Sequence, residues 1–165
     1  MLEEKEDGWF VVNVKDAKWL ESEAFGKVAH FQMQGSFPDL GINLFVVQPG
    51  QPLCRYHREN AQEGFLVLSG ECKLLVNEEE RDLRTWDFVH CPPGVTHVLI
   101  GAGSTPAAVL AIGHRKGEDH QLFYPASELA RTHGAEVPEP TDTPAKAYAD
   151  LKPRAEGEPA AWPLD

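Results

Sequence analysis

Residues 49–70 read PGQPLCRYHRENAQEGFLVLSG, and this stretch joins turn residues, polar groups able to bind metal, and a strand. A histidine, His57, and a carboxylate, Glu63, stand six positions apart between two glycines. The apolar run 65–68 has strand length, and a Ser-Gly turn signal follows it. An imidazole and a carboxylate beside a buried strand cost free energy unless a cation or hydrogen-bond partners receive them. The stretch therefore predicts a polar site carried on a β-strand.

A second stretch, residues 86–97, reads WDFVHCPPGVTH and delivers His97 after a Pro-Pro-Gly bend. The first stretch resembles the first motif of the cupin superfamily, in which a glycine precedes a His-x-His pair, a glutamate and a second glycine. The second stretch resembles the other cupin motif, a glycine followed by a Pro-x-Gly bend and a histidine. With the flanking strands the resemblance spans about residues 25–124. The chain is thus identified as a small single-domain conserved-barrel cupin.

The strand pattern along the chain is that of an all-β protein. Short runs rich in Val, Ile, Leu and Phe alternate with turn signals such as Asn77-Glu78, which is typical of a sandwich or barrel. The runs are Trp9–Val14, Val28–Met33, Ile42–Gln48, Gly64–Ser69, Cys72–Val76, Asp87–Cys91, His97–Ile100, Ala107–Gly113 and Gln121–Tyr124. Several runs have apolar residues at both odd and even positions, so we expect both faces of those strands to be covered. The resemblance implies a cupin-type β-barrel or jelly roll of two antiparallel sheets.

The sequence changes character near its C-terminal end. Residues 127–134 predict a short helix, capped by a serine at its start and stopped by a glycine. Residues 135–165 hold six of the 13 prolines, so we expect an extended acidic tail without ladders, with a turn at Lys146–Leu151. Trp162 is a candidate anchor for its end. The expected organisation is one cupin domain with N-terminal strands at residues 1–134, followed by the tail.

The register of the first motif is open, because this chain lacks the His-x-His pair. Ligands at i and i+2 on a strand project from one face, about 7 Å apart. If the first glycine of the motif fixes the register, Tyr56 and Arg58 occupy the two ligand positions and His57 points the other way. If the register slips by one, His57 and Glu59 occupy them, while the spacing from Glu63 to the second glycine is unchanged. We favour the second register because it places a histidine in a histidine position.

In that register the resemblance implies a metal site of two imidazoles and two carboxylates. Its ligands are His57, Glu59, Glu63 and His97, and such donors suit a divalent Fe, Mn, Ni or Zn ion. The alternative is a metal-free barrel in which Arg58 lies inside and forms a salt bridge with Glu63.

The second motif departs from the family pattern at two positions. Trp86 stands where the family has glycine, and we expect it to plug a barrel corner. Gly101 stands at the closing asparagine position. His90 either lines the pocket or faces outward. The other histidines have no spacing partner and are expected on the surface or in structural roles; they are His30, His114, His120 and His133.

Composition and charge narrow the possible partners and location. The 165 residues carry a net charge of −11 without a basic cluster large enough for a polyanion, so no nucleic-acid partner is expected. No apolar run approaches the roughly 18 residues of a membrane span. The start of the chain, residues 1–7, is acidic, unlike a signal peptide. Three cysteines without a C-x-x-C pair predict neither a disulfide framework nor a zinc ribbon. A cytoplasmic location is expected.

Two functional hypotheses follow from the resemblance. In the first, the protein is a metal-binding cupin that acts on a small oxygen-rich molecule in the barrel pocket, as a dioxygenase or an isomerase. In the second, it is a non-catalytic binding or sensing barrel in which Tyr56 and Arg58 hold an anionic or sugar-like ligand. No catalytic residue is assigned by sequence. The family also implies a homodimer formed through N-terminal strands.

Overall fold

The fold is seen in a computed structural model that describes residues 8–32 and 37–161. Those residues form twelve β-strands, two short α-helices and two 3₁₀ helices. The strands are β1 (Lys18–Ser22), β2 (Gly26–His30), β3 (Leu40–Val47), β4 (Arg58–Glu59), β5 (Glu63–Ser69), β6 (Glu71–Val76), β7 (Glu79–Arg84), β8 (Phe88–Cys91), β9 (His97–Ala102), β10 (Ala107–His114), β11 (Leu122–Phe123) and β12 (Ala155–Glu156). The α-helices are α1 (Glu128–Thr132) and α2 (Pro144–Ala147), and the 3₁₀ helices are Val14–Asp16 and Gly117–Asp119.

The strands pair antiparallel throughout the described part of the chain. The large sheet has the order β12-β1-β2-β3-β10-β5-β8, the second sheet β7-β6-β9, and a small ribbon pairs β11 with β4. Isolated bridges, Pro52 to Ile100 and His57 to His97, tie the segment before β5 to β9 of the second sheet. The all-β cupin jelly roll expected from the resemblance is confirmed.

The core lies between the large and the second sheet. It is built from buried residues of alternate positions on both sheets: Val47, Phe65, Val67, Val109, Cys72, Leu74 and Leu99. The opposite parity is covered as well. Trp19 and neighbouring residues lie over Leu44 and Val46 of the large sheet, while α1 packs on Val98 of the second sheet. Strand β9 is buried on both faces, whereas Leu66 and Leu68 of β5 and Leu110 of β10 are half-buried on one face of their strands.

Several elements differ from the sequence expectation. The predicted strand at Trp9–Val14 is wrong: those residues form no strand, and Trp9 and Val11 are exposed. Conversely, β1, the two-residue β4 and β7 were not predicted. Strand β7, with the sequence EERDLR, has almost no apolar alternation. It forms as an edge strand paired with β6 across a turn at Asn77-Glu78, whose φ angles of 47° and 64° suit a two-residue hairpin. A search for hydrophobic periodicity does not detect a polar edge strand, because such a strand has no alternating apolar residues.

The predicted helix near residue 130 is confirmed as α1. The Ser127 side chain caps it by accepting from the Ala130 amide, and Gly134 follows it with a φ of 69°. Beyond it the chain packs on the barrel as an extended segment interrupted by α2 and, against expectation, a two-residue ladder of β12 with β1. The prolines of the C-terminal segment do not prevent this pairing of β12 with β1, because none of them lies within β12. Trp162 lies outside the described residues.

Two arginines fasten this C-terminal segment to the barrel. The Arg55 guanidinium is buried and donates to both carboxylate oxygens of Asp150 at 2.6 and 2.7 Å, and to the Glu136 carbonyl. Arg154 donates to the backbone carbonyls of Phe25 and Leu53. These charged hydrogen bonds give the proline-rich segment fixed contacts that its own backbone does not supply.

Gly101, at the position where the family has asparagine, lies where no side chain fits. A Cβ there would collide with the Gln48 carbonyl, whose carbon would be 2.9 Å away. The backbone of Gly101 is also hydrogen-bonded to Gly50 and Gln51, which brings the loop after β3 against β9. The departure from the family pattern thus allows a close backbone approach. No helix in the described ranges is both long and apolar enough to cross a membrane.

Candidate metal centre

The two histidines of the motifs are held side by side by their own backbones. The His97 amide donates to the His57 carbonyl at 2.8 Å, and the His57 amide donates to the His97 carbonyl at 3.3 Å. This antiparallel bridge puts the ring centroids 5.2 Å apart. The bend that precedes β9 contributes, because the amide of Gly94, with a φ of 88°, donates to the Glu59 carbonyl at 2.8 Å.

In both imidazoles the Nδ1 atom faces the backbone carbonyl of the residue two positions earlier. Nδ1 of His57 lies 2.9 Å from the Arg55 carbonyl, and Nδ1 of His97 lies 3.0 Å from the Val95 carbonyl. Because a carbonyl only accepts, each Nδ1 carries a proton and donates it. In the neutral ring the lone pair is then on Nε2, the arrangement usual for metal-binding histidines.

The Nε2 atoms of His57 and His97 both face the carboxylate of Glu63, the first residue of β5. Oε2 of Glu63 lies 2.9 Å from Nε2 of His97 and 3.8 Å from Nε2 of His57, and one ligand atom from each residue lies within 4.8 Å of the others. His97 Nε2 and Glu63 Oε2 are buried, yet neither has a hydrogen-bond partner with acceptable geometry in the described structure. Two imidazoles and one carboxylate with unused ligand atoms form a cluster that can hold a metal ion.

Burial and mutual attraction shift the pKa values in this cluster. Burial, reinforced by His97, lowers the pKa of His57. Burial alone opposes the charged form of His97, but contacts with Cys91 and Glu63 outweigh it and raise the pKa of His97 to about 10. Burial likewise opposes ionisation of Glu63, yet His97 lowers the pKa of that carboxyl overall. These shifts favour a protonated His97 beside an ionised Glu63, so a cation that binds Nε2 of His97 has to displace the proton on that nitrogen.

Glu59, the fourth expected ligand, is not a member of the cluster. Its Oε2 lies 3.0 Å from Nε2 of His120, a residue on the loop before β11. Burial, and then the charge of Glu63, raise the pKa of Glu59 to about 8. The sequence assigned His120 only a surface or structural role, since no motif spacing links it to the others. The structure instead places a second carboxylate–imidazole pair beside the first.

The structure adopts the register with His57 and Glu59 toward the pocket. Tyr56 is buried on the other side, where its hydroxyl accepts from the Glu78 amide at 3.0 Å. Arg58 is exposed and stacks on the Phe123 ring at 4.5 Å, so the internal Arg58–Glu63 salt bridge of the metal-free alternative is wrong. The same contacts exclude Tyr56 and Arg58 as the ligand-holding pair of a sensing barrel.

Two further residues of the second motif face solvent. His90 is exposed on β8 and does not line the pocket, which decides between its two readings. Trp86 does not plug a barrel corner: it is 71% exposed and has a φ of 75°. That positive φ explains why glycine stands there in the family, because glycine adopts it without steric cost.

A cavity of about 660 Å³ opens above the cluster. Its walls include His57, Glu59, Glu63 and His120, together with the rings of Phe45 and Phe65. A larger groove of about 980 Å³ lies between the β1–β2 hairpin and the C-terminal segment. No histidine or cysteine lines that groove, so the smaller cavity is the one associated with the candidate metal ligands.

The comparisons with known proteins agree with this geometry. Residues 43–113 match the family model described as "Cupin domain". A sugar phosphate isomerase of the cupin superfamily, from Silicibacter pomeroyi, is 18% identical over 72% of this chain and 82% of that chain, with a TM-score of 0.62. A predicted oxalate decarboxylase from Thermotoga maritima is 19% identical over 63% of this chain and 97% of that chain, with a TM-score of 0.55. These two likenesses show the fold alone.

A chain from Acidithiobacillus ferrooxidans is 27% identical, but the match spans only 51% of this chain and 55% of that chain, with a TM-score of 0.48. No curated protein matches the sequence. The family match covers both histidines and the glutamate of the cluster, and the jelly roll surrounds them. The chain has the cupin fold, and its residues 43–113 match the model of the cupin domain.

Metal addition should stabilise the protein through the three clustered residues. A divalent ion at 100 times its dissociation constant stabilises by about 2.7 kcal/mol, which raises Tm of a chain this size by roughly 5–10 °C. We expect this shift when Mn²⁺, Ni²⁺, Zn²⁺ or anaerobic Fe²⁺ is added to chelator-treated protein in a thermal melt. Glu63→Gln and His97→Gln should lose the shift, and His90→Gln should keep it. Equal shifts in all three variants would show that the ion binds elsewhere.

Proposed function

We propose that this cupin holds a divalent Fe, Mn, Ni or Zn ion on His57, Glu63 and His97 and acts on a small oxygen-rich molecule in the cavity above it. The observation that carries the proposal is the convergence of three ligand atoms, His57 Nε2, His97 Nε2 and Glu63 Oε2, of which the last two are buried and face each other at 2.9 Å without a well-aligned hydrogen bond. Burying polar atoms whose hydrogen-bonding geometry is poor costs free energy that a cation would offset. This donor set keeps coordination positions open for a substrate.

The chain's own residues favour proton transfer over oxygenation. A bound ion would act as a Lewis acid on a substrate oxygen. Glu59 and His120 line the same cavity and are hydrogen-bonded to each other at 3.0 Å. A carboxylate and an imidazole in contact can take a proton from one substrate atom and return it to another. We therefore place Glu59 among the proton-handling groups rather than the ligands, and infer an isomerase-type reaction, the class named for the Silicibacter pomeroyi relative.

The wall of the cavity suits a small substrate with both polar and apolar parts. Phe45 and Phe65 supply apolar surface, and Phe65 lies with its ring 5.3 Å from that of His97. Packing against Phe65 and the Nδ1 hydrogen bond together fix the His97 ring. A fixed ligand set is what a preorganised site requires.

The test separates metal binding from proton transfer by two isosteric variants. The purified protein is assayed for metal content and for deuterium incorporation, in D₂O, into a panel of hydroxy-aldehydes, hydroxy-ketones and their phosphates by NMR. We expect Glu63→Gln to lose both the metal and the exchange. Glu59→Gln should keep the metal but lose exchange by about 100-fold or more, the size of a general-base contribution.

Two outcomes would contradict the proposal. Less than about a tenth of an equivalent of metal per chain, in protein purified without chelator and supplied with each ion, would remove its premise. Full metal content with no exchange into any compound of the panel would favour the non-catalytic binding barrel instead. Arg84→Gln, on the exposed strand β7, serves as a control and should leave both readouts unchanged.

We also propose that the protein is a cytoplasmic homodimer. All three cysteines are unpaired, which fits a reducing compartment. Phe88, in the edge strand β8 of the large sheet, is 62% exposed, and Trp86, two residues before it, is 71% exposed. Trp86 also has a φ of 75°, which disfavours any residue but glycine. Exposed aromatic residues at a sheet edge are suited to contact with a second copy.

The dimer should depend on these two aromatic side chains. We expect the double variant Trp86→Gly with Phe88→Ser to be a monomer in light scattering after size exclusion. Its Tm should be no lower than that of wild-type protein diluted until it is monomeric, because glycine adopts the positive φ without strain. Trp9→Ser is the matched control, since Trp9 is also exposed but lies in the N-terminal segment. A monomeric wild type contradicts the proposal, and a dimer lost only in the Trp9 variant returns the interface to the N-terminal segment.

A further inference from the structure

The rim of the cavity carries a concentration of positive charge in an acidic protein. The chain has a net charge of −11, and Arg115-Lys116 is the only place in the sequence where two Lys or Arg residues are adjacent. Both residues line the cavity, immediately after the end of β10, together with His114 and Gly117. The lining of this cavity therefore includes two adjacent cations as well as the carboxyl groups of Glu59 and Glu63, and the acidic Glu118 and Asp119 follow the cations in sequence.

The strand register places Arg115 across the cavity from Glu63. Gly113 of β10 pairs with Glu63 of β5 on one side and with Gly41 of β3 on the other. A Cβ at Gly113 would lie 3.7 Å from Glu63 Cγ, and a Cβ at Gly41 would lie 3.6 Å from Nη2 of Arg115. The guanidinium thus lies over β3, two strand spacings or roughly 10 Å from the strand of Glu63. The two glycines leave the space between them open.

Neither cation forms an ion pair with a carboxylate in the described part of the chain. Arg115 donates from Nε to the Leu40 carbonyl at 3.2 Å, and no carboxylate lies within 4 Å of Arg115 or Lys116 in residues 8–32 and 37–161. Lys116 is half-buried rather than fully extended into solvent. The wall of the cavity thus offers two positive charges that no described carboxylate contacts.

We propose that Arg115 and Lys116 bind the phosphate monoester end of the substrate. A phosphate monoester carries a charge of about −1.5 to −2 at pH 7, whereas a carboxylate carries a single negative charge. Two adjacent cations therefore balance the charge of a phosphate monoester better than that of a carboxylate. The span of roughly 10 Å from the guanidinium to the strand of Glu63 fits a small phosphorylated polyhydroxy compound. This assignment rests on the proposed function only in placing the other end of the substrate at His57, Glu63 and His97.

The test measures phosphate binding at this subsite independently of metal binding. Inorganic phosphate, and acetate as the carboxylate probe, are titrated at constant ionic strength into the ¹⁵N-labelled full chain, as purified and after chelation. Amide shifts of Gly113, Lys116 and Gly117 report occupancy. We expect saturable millimolar phosphate binding in both states. The double variant Arg115→Gln/Lys116→Gln should weaken it about ten-fold or more, the size of one charge-assisted hydrogen bond.

A charge-matched control and the acetate titration make the result decisive. Arg84→Gln/Lys146→Gln removes the same two charges outside the cavity and should bind phosphate like wild type. Retained binding in Arg115→Gln/Lys116→Gln, equal weakening in the control, no saturable shift at tens of millimolar phosphate, or equal affinity for acetate would each overturn the phosphate assignment. Glu63→Gln should bind phosphate at least as well as wild type. Failure of metal binding with phosphate binding intact would therefore contradict the proposed function and leave the subsite standing.

Discussion

The candidate site depends on the antiparallel bridge between His57 and His97. Its two backbone hydrogen bonds fix the rings side by side, and the carbonyls of Arg55 and Val95 then turn both Nε2 atoms toward Glu63. These bonds are local, but they form only because the sheets bring the segment before β5 against the start of β9. The large sheet supplies Glu63, the second sheet supplies His97, and their shared core holds the two together.

The sequence predicted the parts of this arrangement that are set by pattern. Apolar runs gave the core strands, the serine and glycine around α1 gave its limits, and the motif spacing gave His57, Glu63 and His97. It did not predict what depends on partners distant in sequence. Glu59 has the right parity for a ligand, but His120, 61 positions later, is hydrogen-bonded to it. Trp86 is apolar, so burial was expected, yet its positive φ follows from a turn that composition does not reveal.

The cavity has two chemically different ends. Its floor holds carboxylates and imidazoles with raised or lowered pKa values, and its rim holds two cations that form no ion pair with a described carboxylate. Gly41 and Gly113 separate the ends, because a larger residue at either position would fill the space between Arg115 and Glu63. A substrate with an anionic end and oxygen atoms along its length would contact both. The exposed Arg58 and the buried Tyr56 take no part in that contact.

An anomalous-scattering difference map, collected at the absorption edge of the ion found in the purified protein, would locate the ion and its ligands. We expect one peak in the barrel, at about 2.0–2.2 Å from His57 Nε2, His97 Nε2 and a Glu63 oxygen. We also expect Glu59 to be hydrogen-bonded to His120, outside the coordination sphere. A barrel without a peak in metal-supplemented crystals, or a peak bound by other residues, would contradict the proposed metal site.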